Sequence, residues 1–300
     1  MSMGAHGLMV HAIVAAHSDL ALPVQTAAPV IYSSEAAVYR AAKQACLALG
    51  FIEIDAECLA NAWQTMTART GDFNADTWPD QRADFGLPAL PLTNAFATCP
   101  KNLGLYAVLP DAAWVGRMAR AGVPTVQLRF KSGNAQEIAR EIKAAVQAVK
   151  GTNALLFIND HWQAAIDAGA YGVHLGQEDM EVADLQAIRA AGLRLGLSSH
   201  GYAEMLHADQ FSPSYIAMGA VFPTTLKRMI TAPQGTGRLH AYARLMRDYP
   251  LVAIGGIDRH SLQDVLTSGV GSVAVVRALV TSDDPEQMAA SLQAAINGSN

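Results

Sequence analysis

A chain of 300 residues, 51% apolar and 16% charged, holds enough material for one large domain or two smaller ones and lies outside the polar, highly charged regime of disorder. Its formal net charge of -5 is unevenly placed: residues 1–100 hold 4 Lys/Arg against 9 Asp/Glu, whereas residues 101–300 hold 17 of each. No basic stripe is present, which excludes a nucleic-acid footprint and leaves small anions, bound at points, as the charged ligands to expect.

The first apolar run, 8–16, contains His11 and has no Lys or Arg before Arg40, so a signal or transit peptide is not expected. No uninterrupted apolar stretch reaches the length of a membrane span. The three cysteines, Cys46, Cys58 and Cys99, have neither metal-ligand spacing nor an even count, which fits a reducing cytoplasm. Residues 29–32 and 51–55 read as strands, each leading into a helix, 35–49 and onward through Ala68; the first hundred residues are thus expected to form an α/β extension. Residues 71–100, rich in Asp, Pro, Thr and Asn, read as an irregular linker.

From residue 105 onward short apolar runs alternate with amphipathic stretches of helix length. Strands are predicted at 105–109, 125–129, 154–158, 172–175, 194–197, 215–220, 251–254 and 272–276. Helices are predicted at 135–150, 162–168, 182–191, 202–209, 239–248, 261–267 and 285–296. Several strands are apolar at consecutive positions, as parallel strands covered on both faces are. Eight such units imply a (β/α)8 TIM barrel over residues 101–300, behind an extension of unassigned role over 1–100. An open doubly wound sheet is the alternative, but no G-x-G-x-x-G follows the first strand.

Barrels of this kind carry their chemistry at the C-terminal ends of the strands. Strand two ends in Gln127-Leu128-Arg129-Phe130-Lys131, where alternation sends Gln127, Arg129 and Lys131 to one side. Asn159-Asp160 follow strand three, and Gly176-Gln177-Glu178-Asp179 follow strand four. Carboxylates alone repel a polyphosphate and cations alone need no metal, so Asp160 and Asp179 beside Arg129 and Lys131 suggest a Mg²⁺-pyrophosphate site. Taken singly, each aspartate is equally a helix N-cap. Ser198-Ser199-His200 follow strand five, Phe222 to Lys227 follow strand six, and Gly255-Gly256 end strand seven, where missing Cβ atoms admit an anion to backbone N–H groups. His174 lies within strand four and reads as a core histidine, whereas His200 sits at the rim with a titratable ring.

These strand ends resemble the thiamine phosphate synthase family. The matching stretches are Q-L-R-F-K at 127–131, I-N-D at 158–160, G-V-H-L-G-Q-E-D at 172–179, G-L-S-S-H at 196–200, G-A-V-F-P-T at 219–224 with Lys227, and V-A-I-G-G-I at 252–257. The resemblance implies a Mg²⁺-dependent transfer of a pyrimidinylmethyl group from its diphosphate to a thiazole phosphate, with release of pyrophosphate. It assigns Gln127, Leu128, Arg129, Phe130, Lys131, Asn159, Ser198 and Lys227 to the pyrimidine diphosphate, with Arg129, Lys131, Ser198 and Lys227 catalytic. Asp160 and Asp179 would carry Mg²⁺, and Thr224, Thr225, Leu226, Gly255, Val276 and Arg277 would hold the thiazole phosphate. Leu226 and Arg277 depart from the family pattern, which usually has Thr and Ser there; a hydroxyl is lost at one position and a forked donor gained at the other.

Two competitors use the same fold: a thiazole tautomerase relative with His200 as acid/base, and a non-catalytic barrel that binds thiamine precursors. The diphosphate and metal set favours the synthase. Partners are small-molecule substrates, with no nucleic acid or membrane, and a homo-oligomer is left open. Because every rim residue comes from Gln127 onward, residues 1–100 are expected to be non-catalytic.

Overall fold

Strands with apolar residues on both faces can be buried only between two layers, and the chain satisfies them by closing a sheet inside a ring of helices. The computed structural model describes residues 4–23, 29–90, 92–224 and 231–298. The strands are β1 (Gly104–Leu109), β2 (Thr125–Leu128), β3 (Leu155–Asn159), β4 (Gly172–Leu175), β5 (Arg194–Ser199), β6 (Tyr215–Met218), β7 (Leu251–Ile254) and β8 (Ser272–Val275). All neighbouring pairs are parallel, and β8 returns to β1 with Leu105 opposite Val273, which closes the barrel as expected from the sequence.

The extension precedes the barrel with α1 (Ala5–Ala16), α2 (Ala37–Ala48) and α3 (Glu53–Thr70). Around the barrel run α4 (Ala112–Arg120), α5 (Ala135–Ala148), α6 (Trp162–Ala168), the short α7 (Gln177–Met180), α8 (Leu185–Ala190), α9 (Tyr202–Asp209), α10 (Gly235–Leu245), α11 (Leu262–Leu266), the short α12 (Arg277–Val280) and α13 (Pro285–Asn297).

The barrel interior holds Tyr106, Phe157 and Tyr215 as a buried aromatic floor, with Val108, Ala217, Val252 and Ala274. Room for those rings comes from a missing side chain: a Cβ on Gly196 would lie 2.1 Å from the Tyr215 ring. The second set of strand residues, such as Leu105, Val126, Leu156 and Val273, faces outward and forms the larger core beneath the helices.

The extension corrects the sequence reading. It is helical, with no strand among its described residues, so the expected α/β extension is not formed. At 29–32 no neighbouring strand supplies a ladder; Ile31 is 75% exposed and its carbonyl accepts a hydrogen bond from Lys43 Nζ at 2.5 Å. At 51–55 the acidic residues Glu53 and Asp55 fall in the first turn of α3, where carboxylates favour a helix start over a strand.

Side-chain bonds fix the extension to the barrel. Arg82 makes a two-pronged contact with the buried Asp209 of α9, at 2.8 and 3.0 Å. Trp78 Nε1 donates to Tyr202 Oη at 2.8 Å. Arg238 of α10, only 3% exposed, donates to the carbonyls of Leu20 and Leu49. The described residues of 71–100 are irregular apart from one 3₁₀ turn, Arg82–Phe85, as expected of a linker. Among the described residues no helix is long and apolar enough to cross a membrane.

Candidate active site

Because β1–β8 run in one direction, their C-terminal ends gather on one rim, and a cavity of about 710 Å³ opens there. Gln127, Arg129, Lys131, Asn159, Asp160, Asp179 and Ser198 all line it. Alternation decides who reaches it. Leu128 is 1% exposed and joins the core beneath the helices, and Phe130 packs against that same core. Neither side chain lines the cavity. The sequence assignment of Leu128 and Phe130 as substrate contacts is therefore corrected for their side chains: odd-numbered residues of this strand face in, and even-numbered ones face out.

Under the cavity lies a continuous chain of hydrogen bonds. Gln127 Nε2 donates to Asn159 Oδ1 at 2.8 Å, and Tyr106 Oη donates to Gln127 Oε1 at 2.9 Å. With its proton placed there, Tyr106 accepts from Tyr215 Oη, 2.8 Å away. Tyr215 in turn accepts from His174 Nδ1 at 2.7 Å, which leaves Nε2 of the neutral ring to accept from Ser198 Oγ at 2.8 Å. Five strands besides β4 contribute or abut these groups, so the orientation of Gln127, Asn159 and Ser198 is set from below. His174 is 7% exposed, satisfied in the core as its position suggested, yet it also lines the cavity. The signal that finds it is parity, since residue 174 shares a face of β4 with Gly172 while Val173 and Leu175 face the helices.

On one side of the cavity Asp160 and Asp179 meet. Asp160 stands at φ 63°, a left-handed conformation that turns the chain out of β3. Neither is an N-cap: the N-cap of α6 is His161, and Asp179 lies within α7, from which its Oδ2 accepts from Gly176 N–H at 3.0 Å. Burial first, and then the Asp179 carboxylate beside it, raise the Asp160 pKa above the ordinary aspartate range, while nearby Arg129 opposes the rise. Arg129 and Lys131 make no side-chain hydrogen bond or salt bridge to a described residue. The described residues contain no cluster of three or more His, Cys, Asp or Glu with metal-binding geometry.

Across the cavity stand Thr224, Gly255, Val276 and Arg277. Gly255 has φ 104°, and a Cβ there would lie 2.5 Å from Ala220, so the turn after β7 needs glycine for conformation and for packing against the β6 loop. Arg277 opens α12 with its side chain exposed at the mouth. Thr225, Leu226 and Lys227 lie outside the described residues. His200 lines the cavity as well, its Nδ1 2.6 Å from Glu204 Oε2.

The sequence profile of the thiamine monophosphate synthase family matches residues 105–279. A thiamine-phosphate synthase of Neisseria meningitidis serogroup B is 55% identical over 203 residues, 68% of this chain and 99% of the relative. One from Yersinia pestis is 47% identical over 206 residues, covering 69% of this chain and 96% of the relative. Among solved structures, the thiamine phosphate pyrophosphorylase of Pyrococcus furiosus superposes with a TM-score of 0.59 at 28% identity, covering 66% of this chain and 98% of that one. The relatives are matched almost in full, and about a third of this chain falls outside the match. With a closed parallel barrel, a family profile spanning more than half of its residues and relatives of 47–55% identity matched almost in full, the chain belongs to the thiamine-phosphate synthase family of transferases.

Proposed function

We propose that the cavity joins a pyrimidinylmethyl diphosphate to a thiazole phosphate and releases pyrophosphate, with Mg²⁺ at Asp160 and Asp179. The observation that carries this reading is the convergence of two carboxylates with two cations, Arg129 and Lys131, that form no salt bridge with a described residue. Burial and then the neighbouring Asp179 carboxylate raise the Asp160 pKa, and two carboxylates plus phosphate oxygens are the ligands Mg²⁺ ordinarily takes. When bound, Mg²⁺ supplies neutralisation of the charge that develops on the departing pyrophosphate.

The remaining work falls to the chain's own groups. Arg129 and Lys131 draw in the diphosphate, with Lys227 expected to join them, and Gln127, Asn159 and Ser198 hold it in an orientation fixed by the bonds beneath. The bond between the methylene carbon and the diphosphate oxygen breaks, and its electron pair leaves with pyrophosphate. The thiazole nitrogen then donates its lone pair to the methylene carbon to form the new C–N bond. No proton is lost in that step, in keeping with a site that offers cations and hydroxyls rather than a poised base; His174 already has both ring nitrogens engaged. Thr224, Gly255, Val276 and Arg277 hold the thiazole phosphate on the opposite wall, where Thr225 and Leu226 are expected to contribute. Three unpaired cysteines support a reducing compartment such as the cytoplasm.

The test is a coupled assay with both substrates and Mg²⁺. Thiamine phosphate and pyrophosphate formed in equal amounts support the reading. Binding of the thiazole phosphate without product would sink it in favour of a binding barrel.

A further inference from the structure

β5 ends in Ser198 and Ser199, and the turn that follows it carries His200 at the cavity and leads directly into α9. A helix start leaves backbone N–H groups without intrahelical partners, and a side chain at the N-cap ordinarily satisfies one or two of them. The N-cap of α9 is Gly201, which has no side chain to offer. The cap comes instead from the extension: Asp55 of α3 is 3% exposed, and its Oδ1 accepts from Ala203 N–H at 2.9 Å. The Tyr202 N–H lies close enough to the same carboxylate to favour its charged form. Its other oxygen fills the space where a side chain at residue 201 would stand, since a Cβ there would lie 2.1 Å from Asp55 Oδ2.

The rest of the first turn of α9 is gripped from the same side. Tyr202 is fully buried, stacked on Phe85 with centroids 5.5 Å apart and bonded through its hydroxyl to Trp78. Behind Asp55 lies Arg238 of α10, which stacks on Phe51 at 3.7 Å and whose charge favours the Asp55 carboxylate. Beside this contact a cavity of about 280 Å³, lined by Ile52, Ile54 and His207 among others, separates α3 from the turn. Asp55 spans a seam that is otherwise loosely filled.

We propose that Asp55 is a positioning residue for the transfer reaction: from the extension it caps α9, and it thereby fixes the β5–α9 turn, which holds His200 at the cavity and anchors the end of β5 that carries Ser198. The kinetic part of this inference rests on the function proposed above; the mechanical part does not. It is compatible with the expectation that residues 1–100 are non-catalytic: no described residue among them lines the cavity, and Asp55 acts only through the turn that it caps.

Three variants in the full chain decide the matter. Asp55→Ala removes the cap, Asp55→Asn keeps an acceptor oxygen in place, and Arg69→Ala breaks an ion pair with Asp84 wholly inside the extension and serves as a control for general destabilisation. Misplacing a site wall costs rate steeply, so Asp55→Ala should lower kcat/KM for the pyrimidine diphosphate by roughly tenfold or more while KM for the thiazole phosphate stays near wild type. Asn and Asp are comparable caps, so Asp55→Asn should remain within roughly twofold of wild type. Arg69→Ala should lose stability without altering either Michaelis constant. Deuterium uptake of peptides spanning residues 198–205 supplies a readout that needs no activity: it should rise in Asp55→Ala and not in Asp55→Asn.

Unchanged uptake in Asp55→Ala overturns the proposal. So does raised uptake with unaltered kinetics, or the same kinetic loss in Arg69→Ala. If Asp55→Ala fails to fold, Gly201→Ala attacks the contact from the barrel side and should give the same split between substrates; equal losses for both substrates would overturn the assignment. A wild-type chain without synthase activity overturns the function proposed above, and deuterium uptake then still decides whether Asp55 holds the turn.

Discussion

The extension and the barrel rim both concentrate charged groups, but they treat them differently. In the extension each charge of note has a partner: Lys43, 3% exposed, is bonded to Glu53, Glu57 and the carbonyl of Ile31, and Arg69 grips Asp84. Glu57 is consequently held at a pKa of about 2, through bonds from Lys43, Ser33 and Tyr39 that outweigh its desolvation. At the rim, Asp160 faces a like charge, and Arg129 and Lys131 point into the cavity with no such partner among the described residues. Charges that satisfy each other hold a fold together, whereas charges left converging on a cavity are stabilised only by what enters it.

Substitutions in the two regions should therefore separate stability from activity. The largest effect is expected at Arg82, which with Asp209 forms an ion pair nearly closed to solvent. Arg82→Ala leaves a buried carboxylate with only the Tyr249 hydroxyl among the described residues, and should cost about 3–5 kcal/mol of stability by denaturant unfolding. A loss close to zero would break the comparison from the extension side.

Asp160→Asn should do the reverse. Removing one of two repelling carboxylates is expected to leave the melting temperature unchanged or higher, while turnover falls by about a hundredfold or more because a metal-holding oxygen is lost. Full turnover of this variant in excess chelator would remove Mg²⁺ from the proposal.

A smaller loss is expected from Arg129→Ala. A charge-assisted phosphate contact is worth about 1.5–3 kcal/mol, so affinity for the pyrimidine diphosphate should drop roughly ten- to a hundredfold with stability untouched. Calorimetric titration with each substrate sharpens the point, because equal losses for the thiazole phosphate would place the cation on the wrong wall.

The smallest expected effect is a pH dependence at Asp55, whose pKa is pushed up to about 6 mainly by burial, with Glu204 adding to the rise and the Ala203 and Tyr202 N–H groups and Arg238 opposing it. The folded protein keeps this proton up to about pH 6, while the unfolded chain releases it near pH 4. Stability contributed by this group therefore falls as pH rises through that window. Asp55→Asn has no such proton, so its melting temperature relative to wild type should climb between pH 4 and pH 7. A difference independent of pH would mean that the carboxylate is charged throughout.

Much of the barrel and its rim was legible in the sequence because both depend on local order. Consecutive apolar residues in strands such as Leu155–Asn159 require cover on two faces, and period-two alternation assigns Gln127, Arg129 and Lys131 to one side wherever the strand lies. The same rule, applied strictly, would have withheld Leu128 and Phe130 from the site and placed His174 at its floor.

What only the tertiary structure decided involves partners far apart in the chain. The acidic residues Glu53 and Asp55 hint locally at a helix start, but that Phe51 to Asp55 has no strand to pair with is decided only by the fold, which places no strand among the described residues of the extension. Gly201 looks like an ordinary turn glycine until a carboxylate 146 positions earlier is found where its side chain would be. Likewise, Tyr106 and Tyr215 carry no motif, and they order the protons of the cavity floor only because closing the barrel brings their hydroxyls within 2.8 Å of each other across its interior. Periodicity is a property of neighbours along a strand, and a sequence records it directly. A cap or a hydrogen-bond chain assembled from distant segments exists only once burial has removed water as the competing partner.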